Sequence, residues 1–163
     1  MNKSTKYSKV LFILHMPPPV HGASMVGKYI HDSKIINNAF ECHYLNLALA
    51  KDLDDIGKGG IRKLKEFYKQ LKQIRKQTKL IVPQLCYVTP NAKGGAFYKD
   101  FFVVMLLKMM RQNIVVHYHN KGIATRQNRY FDNLLYSTFF KNLKVILLSL
   151  IHISEPTRHS LTS

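Results

Sequence analysis

Two junctions in this sequence gather residue types that bind and polarise oxygen-rich ligands. The first is His15–Lys28, HMPPPVHGASMVGK, directly after an apolar run. Gly22 lets a phosphate or a sugar approach the backbone closely. A helix starting here turns its unpaired N–H groups and positive dipole end toward an anion, and Ser24 adds a hydroxyl or a cap. A proline-stiffened turn, with Gly22 chosen for conformation alone, accounts for the same residues. The second junction is Val115–Gly122, VVHYHNKG. His117 and His119 lie two apart on a strand and so share a face. An imidazole at a strand end can hydrogen-bond a hydroxyl or a phosphate, and it titrates near neutral pH. His119, at the outer end, is the candidate catalytic group. His117 and Asn120 are candidate substrate contacts, and for His117 a partly buried structural role competes.

Other chemistries fit less well. Gly22–Tyr29, GASMVGKY, matches G-x-x-x-x-G-K but carries Tyr29 where a P-loop needs Ser or Thr for magnesium. No candidate strand ends in the aspartate such an enzyme uses for its metal. Gly22 and Gly27 alone do not make the dinucleotide fingerprint G-x-G-x-x-G. His117-x-His119 has no acidic or cysteine third ligand at metal spacing, so no metal site and no cofactor are expected. Cys42 and Cys86 stand in apolar stretches and read as small buried hydrophobes.

The elements that must position these residues follow from the apolar patterning. Lys9–His15, Phe40–Leu47, Leu85–Thr89, Ile114–His119 and Lys144–Leu148 read as strands. Ala23–Ile36, Ile61–Lys79, Ala96–Met110 and Ile123–Lys141 read as helices. In the second of these Ile61, Leu64, Phe67, Tyr68, Leu71 and Ile74 recur at threes and fours. Phe97, Tyr98, Phe101 and Phe102 read as core at helical spacing. Strand and helix alternate with short connections. The expected fold is therefore α/β, a Rossmann-like open parallel sheet with helices on both faces, and ligands belong at the carboxyl ends of its strands.

The chain has 163 residues, 46% of them hydrophobic and 21% charged. That is enough for one domain with a real core. No apolar run is long enough to span a bilayer as a helix, and Val10–His15 is too short for a signal-peptide core. Two cysteines suit a reducing compartment, so a cytoplasmic protein is expected. The formal charge is +16, a field that attracts phosphates of any kind. Much of it sits between Lys58 and Lys79, with nine cations against Glu66. An anionic membrane surface is the expected partner of that helix, giving a peripheral position at the inner face of the cytoplasmic membrane. No nucleic-acid reading motif accompanies the charge, so nucleic acid is not an expected partner.

Leu148–Arg158, LSLIHISEPTR, resembles the in-frame translation of a sequencing-library adapter. Residues 148–163 are therefore expected to be an artefactual, disordered tail on a domain spanning residues 1–147, with the natural gene continuing beyond about Leu148. A genuine polar tail is the alternative.

Three segments together, Pro17–Ser24 (PPPVHGAS), Ile114–Gly122 (IVVHYHNKG) and Leu143–Ser149 (LKVILLS), are similar in order and spacing to the N-terminal domain of family-4 glycosyltransferases of the GT-B fold. The similarity runs over residues 8 to 148. It implies an acceptor-side domain of an enzyme that moves a sugar from a nucleotide-sugar donor to a glycan or lipid-linked acceptor. In that family the reaction usually retains anomeric configuration, needs no metal, and serves bacterial polysaccharide synthesis. By the resemblance, Gly22 would lie by the donor phosphates and His119 would contact the transferred sugar. Ala23 stands where many members have a second glycine. The donor-binding domain is not in these residues, so this chain is expected to be inactive alone. The rival reading is a non-catalytic α/β module with a basic docking helix.

Overall fold

The computed structural model describes residues 8–18, 20–47, 60–91, 94–118, 137–141 and 143–147. Strands β1 (Lys9–Leu14), β2 (Glu41–Asn46), β3 (Leu85–Val88), β4 (Ile114–Tyr118) and β5 (Lys144–Leu147) form one sheet in the order β2-β1-β3-β4-β5, every pair parallel. Val10 is level with Cys42 on one side and Leu85 on the other, and Val88 is level with Val116. The expected α/β architecture is therefore present. After β1 the chain turns outward to β2, then returns across β1 to β3. The crevice between the carboxyl ends of β1 and β3 is thus the topological switch point of the sheet.

One face is covered by α1 (Gly22–Asp32) and α2 (Lys34–Ala39), the other by α3 (Gly60–Ile81) and α4 (Gly94–Met109). A single helix over 23–36 was expected, and two form. Ser33 takes an extended backbone (φ −69°, ψ 111°), ending α1. Its Oγ accepts from Ile36 N at 3.4 Å and so caps α2.

Side-chain alternation divides the sheet. Leu11, Ile13, Cys86, Val88, Ile114, Val116 and Tyr118 face α3 and α4, which add Ile74, Phe97, Val103, Val104 and Leu107 to a continuous core. Phe139, from the helical turn at residues 137–140, closes that core against Phe97, Phe101 and Tyr118. Lys108 Nζ fixes this turn by donating to the carbonyls of Thr138, Phe139 and Lys141 at 2.6–2.8 Å. Val10, Phe12 and Leu14 face the other way, with Ile30, Ile36, Tyr44 and Tyr87 packed on them. A row of rings crosses this second face from strand to strand. Tyr44 stacks on Phe12 at 5.1 Å, Phe12 meets Tyr87 at 5.5 Å, and Tyr87 meets His117 at 6.0 Å.

Four residues expected in the core are not there. Tyr98 and Phe102 on α4, and Leu64 and Tyr68 on α3, are exposed. The apolar stripe on each helix is wider than the strip the sheet and the neighbouring helix cover.

Candidate functional site at the β1 and β3 strand ends

At the switch point the sheet delivers His15 just beyond β1 and Thr89 to Asn91 just beyond β3. His15 N donates to Thr89 Oγ1 at 3.3 Å, and Met16 N to Asn46 Oδ1 at 3.1 Å, so the exit of β1 is held from both sides. Asn91 links this exit to α4. Its backbone N and Nδ2 both donate to Asp100 Oδ2, at 2.7 and 2.8 Å, and Nδ2 also lies 2.8 Å from His15 Nε2. With one amide proton on each acceptor, His15 Nε2 accepts and its proton resides on Nδ1. That Nδ1–H has no partner among the described residues. Asp100 Oδ2 stands 3.6 Å from His15 Nε2 and becomes an ion-pair partner once the imidazole is protonated. Asp100 is only 5% exposed, and Asn91 supplies the hydrogen bonds a buried carboxylate requires.

The N-terminus of α1 lies against the same crevice, with the His21 ring 6.3 Å from that of His15. His21 is the cap. Its Nδ1 accepts from Ser24 N at 3.2 Å, and Ser24 Oγ accepts from His21 N at 2.9 Å, a reciprocal box. Ser24 Oγ also donates to His21 O. Ser24 is fully buried and serves as the cap partner. Gly22 and Ala23 keep first-turn N–H groups with no partner among the described residues. A Cβ on Gly22 would meet nothing within 4 Å, so the space beside its Cα is open. Gly27 is the glycine that close packing demands, because a Cβ there would come 2.1 Å from His15 O. Gly22–Tyr29 runs inside α1. A P-loop needs that stretch as a phosphate-wrapping loop, so the helical geometry removes the P-loop reading.

Of the residues singled out in sequence, Gly22, Ala23 and Ser24 come together at the switch point. His117 lies on β4, on the face that carries α1, with Tyr87 Oη in hydrogen-bond contact with its Nδ1. Burial lowers the pKa of His117 below 6.5, and burial pushes the Tyr87 phenol up to about 12. Tyr87 O–H therefore donates and neutral His117 accepts. His119 and Asn120 lie outside the described residues, as do Lys58 and residues 148–163.

His15, Asn91 and Asp100 were not singled out in the sequence. Residues 15, 91 and 100 have no common local motif. One signal was present: Asp100 is the sole acid in the sixteen residues of α4, a mostly apolar helix. Among the described residues no three His, Cys, Asp or Glu side chains gather as a metal site, and no helix is long and apolar enough to cross a membrane. Two open grooves among the described residues run along α3 and α4.

In chemical terms the strand-end site offers two backbone N–H donors, one imidazole N–H and a buried carboxylate-amide pair that orients the imidazole. This set suits an anionic or hydroxyl-rich ligand. Compared with family models, with curated proteins and with solved structures, the chain matches none.

Proposed function

We propose that this chain is the acceptor-side domain of a glycosyltransferase that moves a sugar from a nucleotide-sugar donor to a glycan or lipid-linked acceptor in surface polysaccharide synthesis. The observation that carries the reading is the convergence at the switch point between β1 and β3. There the first turn of α1, whose Gly22 and Ala23 amides have no partner among the described residues, lies beside His15, whose Nδ1–H is likewise unpartnered among them. Sugar transfer from a nucleotide diphosphate must stabilise the charge of the leaving group, and helix N-termini do so without a metal. In this reading α1 turns two amides toward that charge and His15 donates to a hydroxyl or phosphate oxygen. Asn91 and Asp100 hold the imidazole in its Nδ1–H form, and His119 contacts the transferred sugar. In this reading the donor nucleotide is held mainly by a partner domain across the crevice.

Isotope-labelled protein titrated with an acceptor-type oligosaccharide, and separately with a nucleoside diphosphate, tests this. The oligosaccharide should move the amide resonances of His15 and Asn91, weakly bound nucleoside diphosphate should move those of Gly22 and Ala23, and His15→Ala should weaken oligosaccharide binding about tenfold, the loss of one hydrogen bond to a polar ligand. Tight binding of a nucleotide sugar to this chain alone, or acceptor-induced shifts confined to other strands, would overturn the reading.

A further inference from the structure

The outer seam between α3 and α4 is apolar around Tyr68 and Phe102, mixed around Arg75 and Met109, and basic on its flank. Leu64 and Tyr68 on α3 are 67% and 59% exposed, and Phe102 and Met109 on α4 are 55% and 82% exposed. Two grooves follow the seam in chain order on both helices. The first, about 590 Å³, runs between Leu64, Phe67, Tyr68, Leu71 and Phe102. The second, about 470 Å³, runs between Arg75, Lys79, Val82, Leu106 and Met109. Contiguous exposed apolar surface of this kind marks an interaction site.

The flank selects the partner. Lys65, Lys69, Lys72, Arg75, Lys76 and Lys79 are all exposed on α3. The single acid among the described side chains of that helix, Glu66, is paired with Lys69 at 3.0 Å. Lys72 Nζ sits 5.3 Å over the Tyr68 ring, so a cation already lies against the apolar strip. We propose that this seam docks on an anionic lipid surface, Leu64, Tyr68, Phe102 and Met109 entering the headgroup boundary while the α3 cations meet lipid phosphates. Helices of this character lie in the interface plane, and each cation near anionic lipid adds attraction. A second copy of the chain would bring the same cations against themselves. Nucleic acid would leave Leu64 and Met109 without a partner, because neither side chain stacks on bases. The inference stands whether or not the strand-end site handles sugars.

The chain contains no tryptophan, so Phe102→Trp is a clean reporter, and Tyr68→Trp serves if the first variant fails to fold by circular dichroism. Vesicles of phosphatidylcholine mixed with phosphatidylglycerol should pellet the protein and shift the tryptophan emission to the blue. Vesicles of phosphatidylcholine alone should do neither. Neutralising Lys65, Lys72 and Lys76 together to Gln should weaken vesicle binding about 100-fold, about fivefold for each charge, with an unchanged melting curve. Pelleting without an emission shift, equal binding of the triple variant, or a blue shift that grows with protein concentration in the absence of lipid would each overturn the proposal. A shift induced by single-stranded DNA and not by vesicles would do the same.

Discussion

Helices α1 and α4 lean on opposite faces of one sheet by opposite means. α4 buries Phe97, Val103, Val104 and Leu107 into the aliphatic core. α1 buries no large side chain fully; Ile30 is partly buried against the sheet, and the two buried residues are Ser24 and Gly27. One helix is held by the volume it contributes, the other by how closely its backbone approaches. Gly27 packs on the carbonyl of His15, and the His21–Ser24 box fixes the first turn. The comparison separates two tasks. The α3 and α4 face carries most of the apolar burial that stabilises the domain, and the α1 face sets where a helix N-terminus and a strand end meet. The candidate site is therefore placed by the less apolar helix, and Asp100 of α4 reaches it from the better-packed side.

Large-to-small substitutions should expose the asymmetry. Leu107→Ala removes a fully buried side chain from the main core and should cost about 2–5 kcal/mol in urea unfolding. Ile36→Ala on α2, partly buried on the other face, should cost about 1–2 kcal/mol because less apolar area is lost. Equal losses would mean that the two faces are packed alike. Gly27→Ala tests the close approach directly. Its Cβ must displace the β1 exit backbone, so about 1–3 kcal/mol of destabilisation is expected. The displacement should also disturb His15 and Asn91, read as moved amide resonances at both. A neutral Gly27→Ala would remove the argument that backbone proximity seats α1.

The strands were legible in the sequence because each is a short apolar run closed by a breaker, and burial on both faces demands such runs. Lys9–Leu14 and Ile114–Tyr118 differ from their expected ends by one residue. The break between α1 and α2 was not legible, because Ile35 and Ile36 continue the apolar pattern through Ser33 while its hydroxyl caps a new helix. Tyr68 and Phe102 show a second limit. Periodicity identifies the apolar side of a helix, and only packing tells how much of that side is covered. At the site, the glycine turn and its helix could be read from Gly22 to Ser24, since the signal is local. His15, Asn91 and Asp100 meet only after two crossovers bring β1 and β3 side by side. Their meeting depends on topology, which no local spacing records.

His117 gives the smallest effect and the sharpest view of the α1 face, where titratable side chains pack beside aromatic rings. Burial disfavours its imidazolium, so its folded pKa lies below 6.5. As pH falls, the unfolded chain takes up this proton before the folded one does. The stability contributed by His117 is therefore fully present above its unfolded value and lost as pH drops through the folded value. Tyr87 adds to the effect by donating to neutral Nδ1, a bond the protonated ring cannot accept. The quantity to measure is a difference between parent and variant. Parent and His117→Phe should be unfolded in urea at steps from about pH 7 to about pH 5. The parent should lose stability more steeply than the variant, and Tyr87→Phe should give an intermediate slope. Superimposable slopes for parent and His117→Phe would show that the ring is solvated in both protonation states, and the row of rings would then end at Tyr87.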